Sequence, residues 1–208
     1  MSAELFSPGV PLTLRYAPPP VDRREIWRYA GCRGAAGAPL EALLEDCLAE
    51  ALPALDYRAC ACAYPVVRAS GALELGFAAV RSESLAKNLA GCGRVLLFAA
   101  TVGLELDRLI ARAQSGAPAR ALLLQAIGAE RIEALAEAVA ADARADAAQR
   151  GLAVRPRFSP GYGDLPLALQ REIFAALDCP RRIGLTLGGS LLMTPTKSVT
   201  ALIGAGPA

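Results

Sequence analysis

An arginine and a glycine-rich turn stand together between Arg157 and Asp164, and this segment carries the most informative chemistry of the chain. It reads Arg-Phe-Ser-Pro-Gly-Tyr-Gly-Asp. The two glycines that flank Tyr162 permit a tight backbone path with unhindered N–H and C=O groups. Arg157 supplies a two-pronged donor that suits a ligand carboxylate. Spacing alone is compatible with an amino-acid ligand that carries a large aromatic group, and equally with an ordinary turn beside a surface arginine.

Two features of composition restrict the chemistry. The chain has no histidine, which excludes Ser–His and Cys–His nucleophile pairs, histidine-ligated zinc and an axial imidazole supplied to a corrinoid by these residues. The cysteines form no CxxC pair, and we expect buried, reduced thiols, with Cys60 and Cys62 on one face of a strand. We therefore assign no catalytic residue and no metal ligand.

Charge and hydropathy limit the partners. The formal net charge is only +2, without a clustered basic run, so we expect no nucleic-acid binding. The longest apolar stretch runs only from Val95 to Val102, far short of the roughly 20 residues that span a bilayer. The N-terminus has no signal-peptide pattern. We expect a cytoplasmic protein without membrane contact.

The periodicity of apolar residues predicts an α+β fold, in which a mainly antiparallel, twisted sheet packs with helices, one of them long. Asp22 followed by Glu25 predicts a helix capping box, and Gly31 predicts the end of that helix. The predicted helices are a segment after Asp22, Leu40–Leu52, a segment from Ser82 or Ser84 to Ala90, Leu104–Gln114, Ala117–Gln149, and a segment capped by Asp164 that ends near Leu177. The predicted strands are Leu12–Tyr16, several short antiparallel strands between Tyr57 and Phe77, Arg94–Ala100, Ile183–Leu187 and Ser198–Ile203. We predict one domain over residues 1–208, with a helical N-terminal portion (1–55) and a sheet-and-helix core (56–208).

Several short motifs in a fixed order make the chain resemble a known family. The matching pieces are Arg157 with Pro160-Gly161-Tyr162, Leu169-Gln170, Ile183-Gly184-Leu185-Thr186-Leu187, Pro195-Thr196-Lys197-Ser198-Val199 and, more weakly, Ala100-Thr101-Val102-Gly103 and Ile26-Trp27-Arg28-Tyr29-Ala30-Gly31. Together they resemble the activation (reactivation) domain of cobalamin-dependent methionine synthase, and its stand-alone relatives more closely still. The sequence departs from the family at Gly188-Gly189, where relatives usually carry an acidic residue.

The resemblance implies a site for S-adenosylmethionine. Arg157 would hold the ligand carboxylate, and the loop around Ser159, Gly161 and Tyr162 would take the remaining polar groups and the adenine. Glu137, in a segment that resembles the family's ligand-facing helix, and Asp22 would face the cationic groups of the ligand. Two other interpretations stay open: a merely solvated Glu137 and an Asp22 that only caps its helix.

The same resemblance implies a function. The domain would support the reductive remethylation of cob(II)alamin carried by a partner, either a methionine synthase or another corrinoid protein that lacks its own activation domain, with electrons from a low-potential donor. The alternative is a non-catalytic module that binds S-adenosylmethionine or a corrinoid protein. An ordinary S-adenosylmethionine methyltransferase is disfavoured, because Gly91-Cys92-Gly93 precedes the strand at Val95 instead of following it.

Overall fold

The computed structural model describes residues 4–7, 9–32, 34, 37–69 and 71–207. The helices are α1 (Arg23–Tyr29), α2 (Ala38–Ala51), α3 (Glu83–Asn88), α4 (Glu105–Gln114), α5 (Pro118–Gln149), α6 (Gln170–Leu177) and α7 (Cys179–Ile183), with 3-10 turns at Leu52–Ala54 and Leu167–Leu169. The strands are β1 (Leu12–Arg15), β2 (Arg58–Pro65), β3 (Val67–Ala69), β4 (Ala72–Glu74), β5 (Ala79–Val80), β6 (Arg94–Thr101), β7 (Leu152–Val154), β8 (Thr186–Leu187), β9 (Met193–Thr194) and β10 (Ser198–Pro207). In this part of the chain, no helix is both long and apolar enough to cross a membrane.

A five-stranded antiparallel sheet in the order β1-β2-β6-β10-β7 forms the centre of the fold. Its central strands are apolar on both faces because both faces are covered. One face packs on α5 and the N-terminal helices through residues such as Phe98 and Ile203. The opposite face packs on α3, α6 and α7 through residues such as Leu97 and Leu202. The predicted α+β fold is confirmed.

The long helix α5 runs for 32 residues, about 48 Å at 1.5 Å per residue. Pro118 lies in its first turn, where a missing N–H costs no hydrogen bond. Gly128 interrupts the alanine-rich sequence for a packing reason. A Cβ at this position would lie 2.7 Å from Leu106 Cδ2 and 2.8 Å from Lys197 Cε, so any other residue would require these side chains to shift.

A buried ion pair on α5 holds the N-terminal segment in place. Glu130 and Arg131 pair with each other, and Arg131 is fully buried. Arg131 also donates to the carbonyl oxygens of Pro19 and Pro20, each at 2.7 Å, while Glu130 accepts the Asp22 N–H at 3.0 Å. Because β1 joins the main sheet through β2, we propose that the chain forms one domain across the 55/56 boundary.

The sequence prediction was wrong for two predicted elements in the C-terminal third, and it missed β7. Asp164 does not cap a helix of its own; it caps α3, and α6 begins only at Gln170, after a 3-10 turn. Ile183–Leu187 is not one strand, because Ile183 ends α7 and Gly184 adopts a left-handed conformation (φ +67°). Only Thr186–Leu187 is extended there.

The expectation for the cysteines holds for most of them. Five of the six are buried and Cys32 is partly exposed. Cys60 and Cys62 pack in the same cluster, as expected of neighbours on one face of β2. The Sγ atom of Cys60 lies 3.9 Å from that of Cys179, a contact between free thiols.

Candidate functional site

A cleft of about 610 Å³ opens between α5, the segment that follows β7, and the start of β10. It combines paired charges with an apolar floor. Its lining residues are Glu133, Glu137, Ala140, Arg144, Val154, Arg155, Pro156, Arg157, Ser159, Tyr162, Val199 and Ile203.

Helix and strand periodicity bring these residues together. Glu133, Glu137, Ala140 and Arg144 are spaced three or four residues apart, so they share one face of α5. Val199 and Ile203 are four apart on β10 and share the sheet face that packs on α5. Polar side chains therefore line one wall of the cleft, and aliphatic ones form its floor.

The segment from Arg155 to Phe158 extends the sheet beyond β7. The Arg155 N–H donates to Gly204 O at 2.8 Å, and Phe158 and Leu202 exchange two backbone hydrogen bonds of 2.9 and 2.8 Å. This pairing fixes the backbone on both sides of Arg157. Its side chain is partly buried, and Nη2 donates to Glu133 Oε2 at 3.0 Å.

The turn from Ser159 to Leu165 is held by its own backbone. The Tyr162 N–H donates to Ser159 O at 3.1 Å, and the Gly161 N–H donates to Leu165 O at 2.9 Å. Gly161 has φ +89°, a conformation that favours glycine. Tyr162 is 72% exposed, and its ring meets Phe158 edge-on at 6.3 Å between centroids.

Asp164 anchors this turn to α3. Its carboxylate accepts hydrogen bonds from Ser82 Oγ at 2.5 Å and from the N–H groups of Glu83 at 2.6 Å and Ser84 at 3.1 Å. The Ser82 hydroxyl and these N–H groups hold the pKa of Asp164 well below its usual range. Gly163 fits beside this contact, since a Cβ there would lie 2.6 Å from Ser84 Oγ.

Glu137 lies one turn from Glu133 and accepts a hydrogen bond from Arg144 Nη2 at 2.5 Å. Both side chains of this pair are more than half exposed. The cleft thus contains two Arg–Glu pairs side by side, and each carboxylate can also face a cationic ligand group.

Four residues singled out from the sequence, Arg157, Ser159, Tyr162 and Glu137, line one cleft. Gly161 shapes the turn but is not among the lining residues. Asp22 is not among them either; its carboxylate accepts from the N–H groups of Arg24 and Glu25, as the predicted cap requires. Ligand contacts for all six remain predictions.

Sequence reasoning missed Glu133, Arg144 and the floor residues Val199 and Ile203. The i, i+4 spacing of Glu133 and Glu137 was a usable signal, because it places both carboxylates on one helix face. No sequence signal indicated the pairing of Glu133 with Arg157, because the two residues belong to different elements. In the part of the chain that the structure describes, no group of three or more His, Cys, Asp or Glu side chains is arranged to hold a metal ion.

The chain matches one family model and several solved structures. A search of curated proteins gives no significant match. Among solved structures, the chain is similar to the MetH reactivation domain bound to AdoHcy, with a TM-score of 0.67, 18% identity, and coverage of 100% of this chain and 83% of that one. At this identity the likeness shows the shared fold. The family model for the activation domain of vitamin B12-dependent methionine synthase matches residues 85–208, more than half of the chain. The chain therefore belongs to the family of vitamin B12-dependent methionine synthase activation domains.

Proposed function

We propose that this chain binds S-adenosylmethionine in the Arg157 cleft and supports the reductive remethylation of cob(II)alamin carried by a partner methionine synthase or other corrinoid protein. The observation that carries the proposal is the placement of Arg157, Glu133 and Glu137 around one cleft in a member of the activation-domain family. The AdoHcy bound to the similar reactivation domain supports the same ligand class.

The cleft suits this ligand in size and charge. Its volume of about 610 Å³ lies within the usual range for small-molecule sites. S-adenosylmethionine carries one carboxylate and two cationic groups, an ammonium and a sulfonium. Arg157 provides a planar donor for the carboxylate, while Glu133 and Glu137 provide negative charge for the cations.

The exposed ring of Tyr162 and the Ser159 hydroxyl lie at the same cleft, where they can contact the nucleoside part. We include Gly161 as the residue whose backbone conformation allows the turn, and Asp22 as a further acid that we expect to act on the ligand's cationic side. Asp22 is the outlier of the set, because its carboxylate already serves as a helix cap.

In the proposed function, the role of this chain is to position the ligand for methyl transfer. Cobalamin on the partner, reduced by an external low-potential donor, supplies the nucleophile, and the sulfonium methyl is the electrophile. The described residues need only hold the ligand so that its methyl group projects out of the cleft in line with the leaving sulfur. No acid or base from this chain is required, which fits a site composed of paired arginines and glutamates.

A reconstitution experiment tests the proposal. A methionine synthase without its activation domain, held as cob(II)alamin, is mixed with a flavoprotein reductant, S-adenosylmethionine and this protein. We expect methylcobalamin to form faster with the protein present, to form more slowly with Arg157→Ala, and to form at the wild-type rate with Arg112→Ala, an exposed arginine of α4. Ligand binding without any acceleration, across several corrinoid partners, would support the binding-module alternative instead.

A further inference from the structure

Three arginines meet on one face of the main sheet, at the edge that β1 forms. Arg15 on β1 lies directly opposite Arg58 on β2, so two like charges share a cross-strand pair, which is unfavourable by itself. Arg182, in the last turn of α7, donates from Nη1 to Thr13 Oγ1 at 3.3 Å. Thr13 stands two residues before Arg15, so both side chains point to the same side of β1. The fold thus concentrates three positive charges.

The acidic side chains nearby do not neutralise this cluster. Among the described residues, a single carboxylate, that of Asp56, forms ion pairs with it. Asp56 Oδ1 lies 3.3 Å from Arg15 Nη1, and Oδ2 lies 3.0 Å from Arg58 Nε. The neighbouring Arg181 pairs with Asp178 at 3.9 Å and adds no net charge. Three arginines and one aspartate therefore leave a local charge of +2.

The protein itself satisfies two of these guanidinium groups poorly. The Arg58 side chain is only 24% exposed, and its Nε is buried without a hydrogen-bond partner, since the contact with Asp56 is an ion pair without hydrogen-bond geometry. The Nε atom of Arg182 is also buried and has no partner among the described residues. Burying such donors is costly, because their hydrogen bonds to water are lost and not replaced. A negative charge bound at the outer nitrogen atoms would offset part of this cost.

The outer nitrogen atoms of Arg58 face open space beside Gly184, the residue that ends α7. A Cβ built on Gly184 would lie 3.6 Å from Arg58 Nη1 and 3.9 Å from Nη2, and would meet no other described atom within 4 Å beyond its chain neighbours. Because glycine has no side chain, this space stays free beside two donors. Register and sequence place Arg15, opposite Arg58, and Arg182, two residues before Gly184, next to it.

We propose that Arg15, Arg58 and Arg182 form a binding site for a phosphate group, either the free ion or a phosphate monoester. A phosphate group carries about 1.5 to 2 negative charges near pH 7, which complements the local charge. Its oxygen atoms can accept hydrogen bonds from several guanidinium groups at once. The Thr13 hydroxyl accepts from Arg182 and keeps its own proton to donate to such an oxygen.

This site is independent of the function proposed above. The cluster lies at the β1 edge of the sheet, on the face that packs on α7, whereas the Arg157 cleft lies beside β10 and β7, on the face that packs on α5. A ligand at one site therefore does not contact the other, and failure of either proposal leaves the other standing.

An NMR titration of the wild-type protein with inorganic phosphate tests the site, with ionic strength held constant by chloride. We expect saturable shifts of the Thr13 and Gly184 amide signals. A parallel titration with glycerol 3-phosphate distinguishes the two sources of the phosphate group. Shifts of the same amides with both ligands would show that the site accepts a monoester, and shifts with inorganic phosphate alone would restrict it to the free ion. Shifts no larger than those caused by chloride would overturn the proposal.

Variants assign the binding to the cluster. Arg58→Ala and Arg182→Ala should each weaken phosphate binding about tenfold or more, because a charge-assisted contact is lost. Arg58→Lys should also weaken it, since an ammonium group cannot donate two parallel hydrogen bonds. Arg157→Ala, which changes the cleft instead, should bind phosphate as the wild type does. Thermal melts check that each variant is folded. Wild-type affinity in both folded alanine variants would overturn the site, as would loss of binding in Arg157→Ala.

Discussion

Glu133 accepts a hydrogen bond from Arg157 at 3.0 Å, so the guanidinium that we assign to a ligand carboxylate is already paired with a carboxylate. This pairing fixes the direction of Arg157 before any ligand arrives, which reduces the entropy lost on binding. If the ligand carboxylate binds Arg157 as we propose, Glu133 must share the guanidinium or turn towards the ligand's ammonium. In the proposed binding mode, this pair would couple recognition of both charges of an amino-acid ligand.

Arg157→Ala should weaken S-adenosylmethionine binding by roughly 1.5–3 kcal/mol, because one charge-assisted hydrogen-bonding group is lost. Isothermal titration calorimetry measures the change. Arg112→Ala, at an exposed position of α4, is the matched control and should bind as the wild type does. Equal affinity of the Arg157 variant and the wild type would remove Arg157 from the site.

Asp164→Ala should lower the melting temperature and also weaken ligand binding, because Asp164 both caps α3 and ties down the turn that lines the cleft. The pKa of Asp164 is lowered in the folded state, so its stabilising effect is complete above the unfolded pKa near 3.8 and is lost as the pH falls below it. Thermal melts between about pH 2 and 7 test this. The advantage of the wild type over the variant should stay constant near neutral pH and shrink progressively below about pH 4; a difference that stays constant down to the lowest pH would contradict the assignment.

Asp22 and Asp164 show which helix caps can be predicted from the sequence and which cannot. Asp22 was correctly predicted as a cap because its bonds go to residues two and three positions ahead. The predicted capping box is not complete, because Glu25 pairs with Arg28 and the Asp22 N–H donates to Glu130 instead.

Asp164 was assigned to the wrong helix because its partners, Ser82 to Ser84, lie about eighty residues upstream. Short-range sequence patterns cannot predict a contact between residues so far apart in the chain. Local rules also missed β7, whose three residues become a strand only through pairing with β10.

Some residues of the candidate site could be predicted from the sequence, and others could not. Arg157, Ser159 and Tyr162 could be found because they lie in one contiguous motif, and Glu137 because its helical segment resembles the family. The contact between Glu133 and Arg157 depends on which elements become neighbours in the fold. Such contacts follow from tertiary packing, which a single sequence does not specify by spacing.

Lys197 should make the free energy of unfolding depend on pH. Burial lowers its pKa below 10.5, an effect that the Asp107 carboxylate partly offsets. Between the lowered value and 10.5 the unfolded chain binds more protons than the folded one, so this group makes stability rise with pH. Urea titrations from pH 8 to 10 should show that rise reduced in Lys197→Met. Lys87→Met, at an exposed position on α3, is the control and should keep the wild-type slope.

Arg131→Met should destabilise the fold by about 3–5 kcal/mol, because it leaves Glu130 as an unpaired buried charge and removes the donors to Pro19 and Pro20. Chemical denaturation measures the loss. The double variant Arg131→Met with Glu130→Leu should recover part of it, since both charges are then gone. A double variant no more stable than the single one would show that the contacts to Pro19, Pro20 and the Asp22 N–H dominate.

Glu137→Gln should weaken S-adenosylmethionine more than S-adenosylhomocysteine. The two ligands differ by the methyl group and by the sulfonium charge that it creates, so a carboxylate near the sulfur stabilises only the first. For a partly exposed pair the difference should be about 1 kcal/mol, or several-fold in affinity, and should shrink as salt screens the charges. Calorimetry with both ligands at two salt concentrations measures it, with Glu172→Gln at an exposed position of α6 as the control. Equal loss for both ligands would place Glu137 away from the sulfur, and no loss for either would leave it a solvated helix residue paired with Arg144.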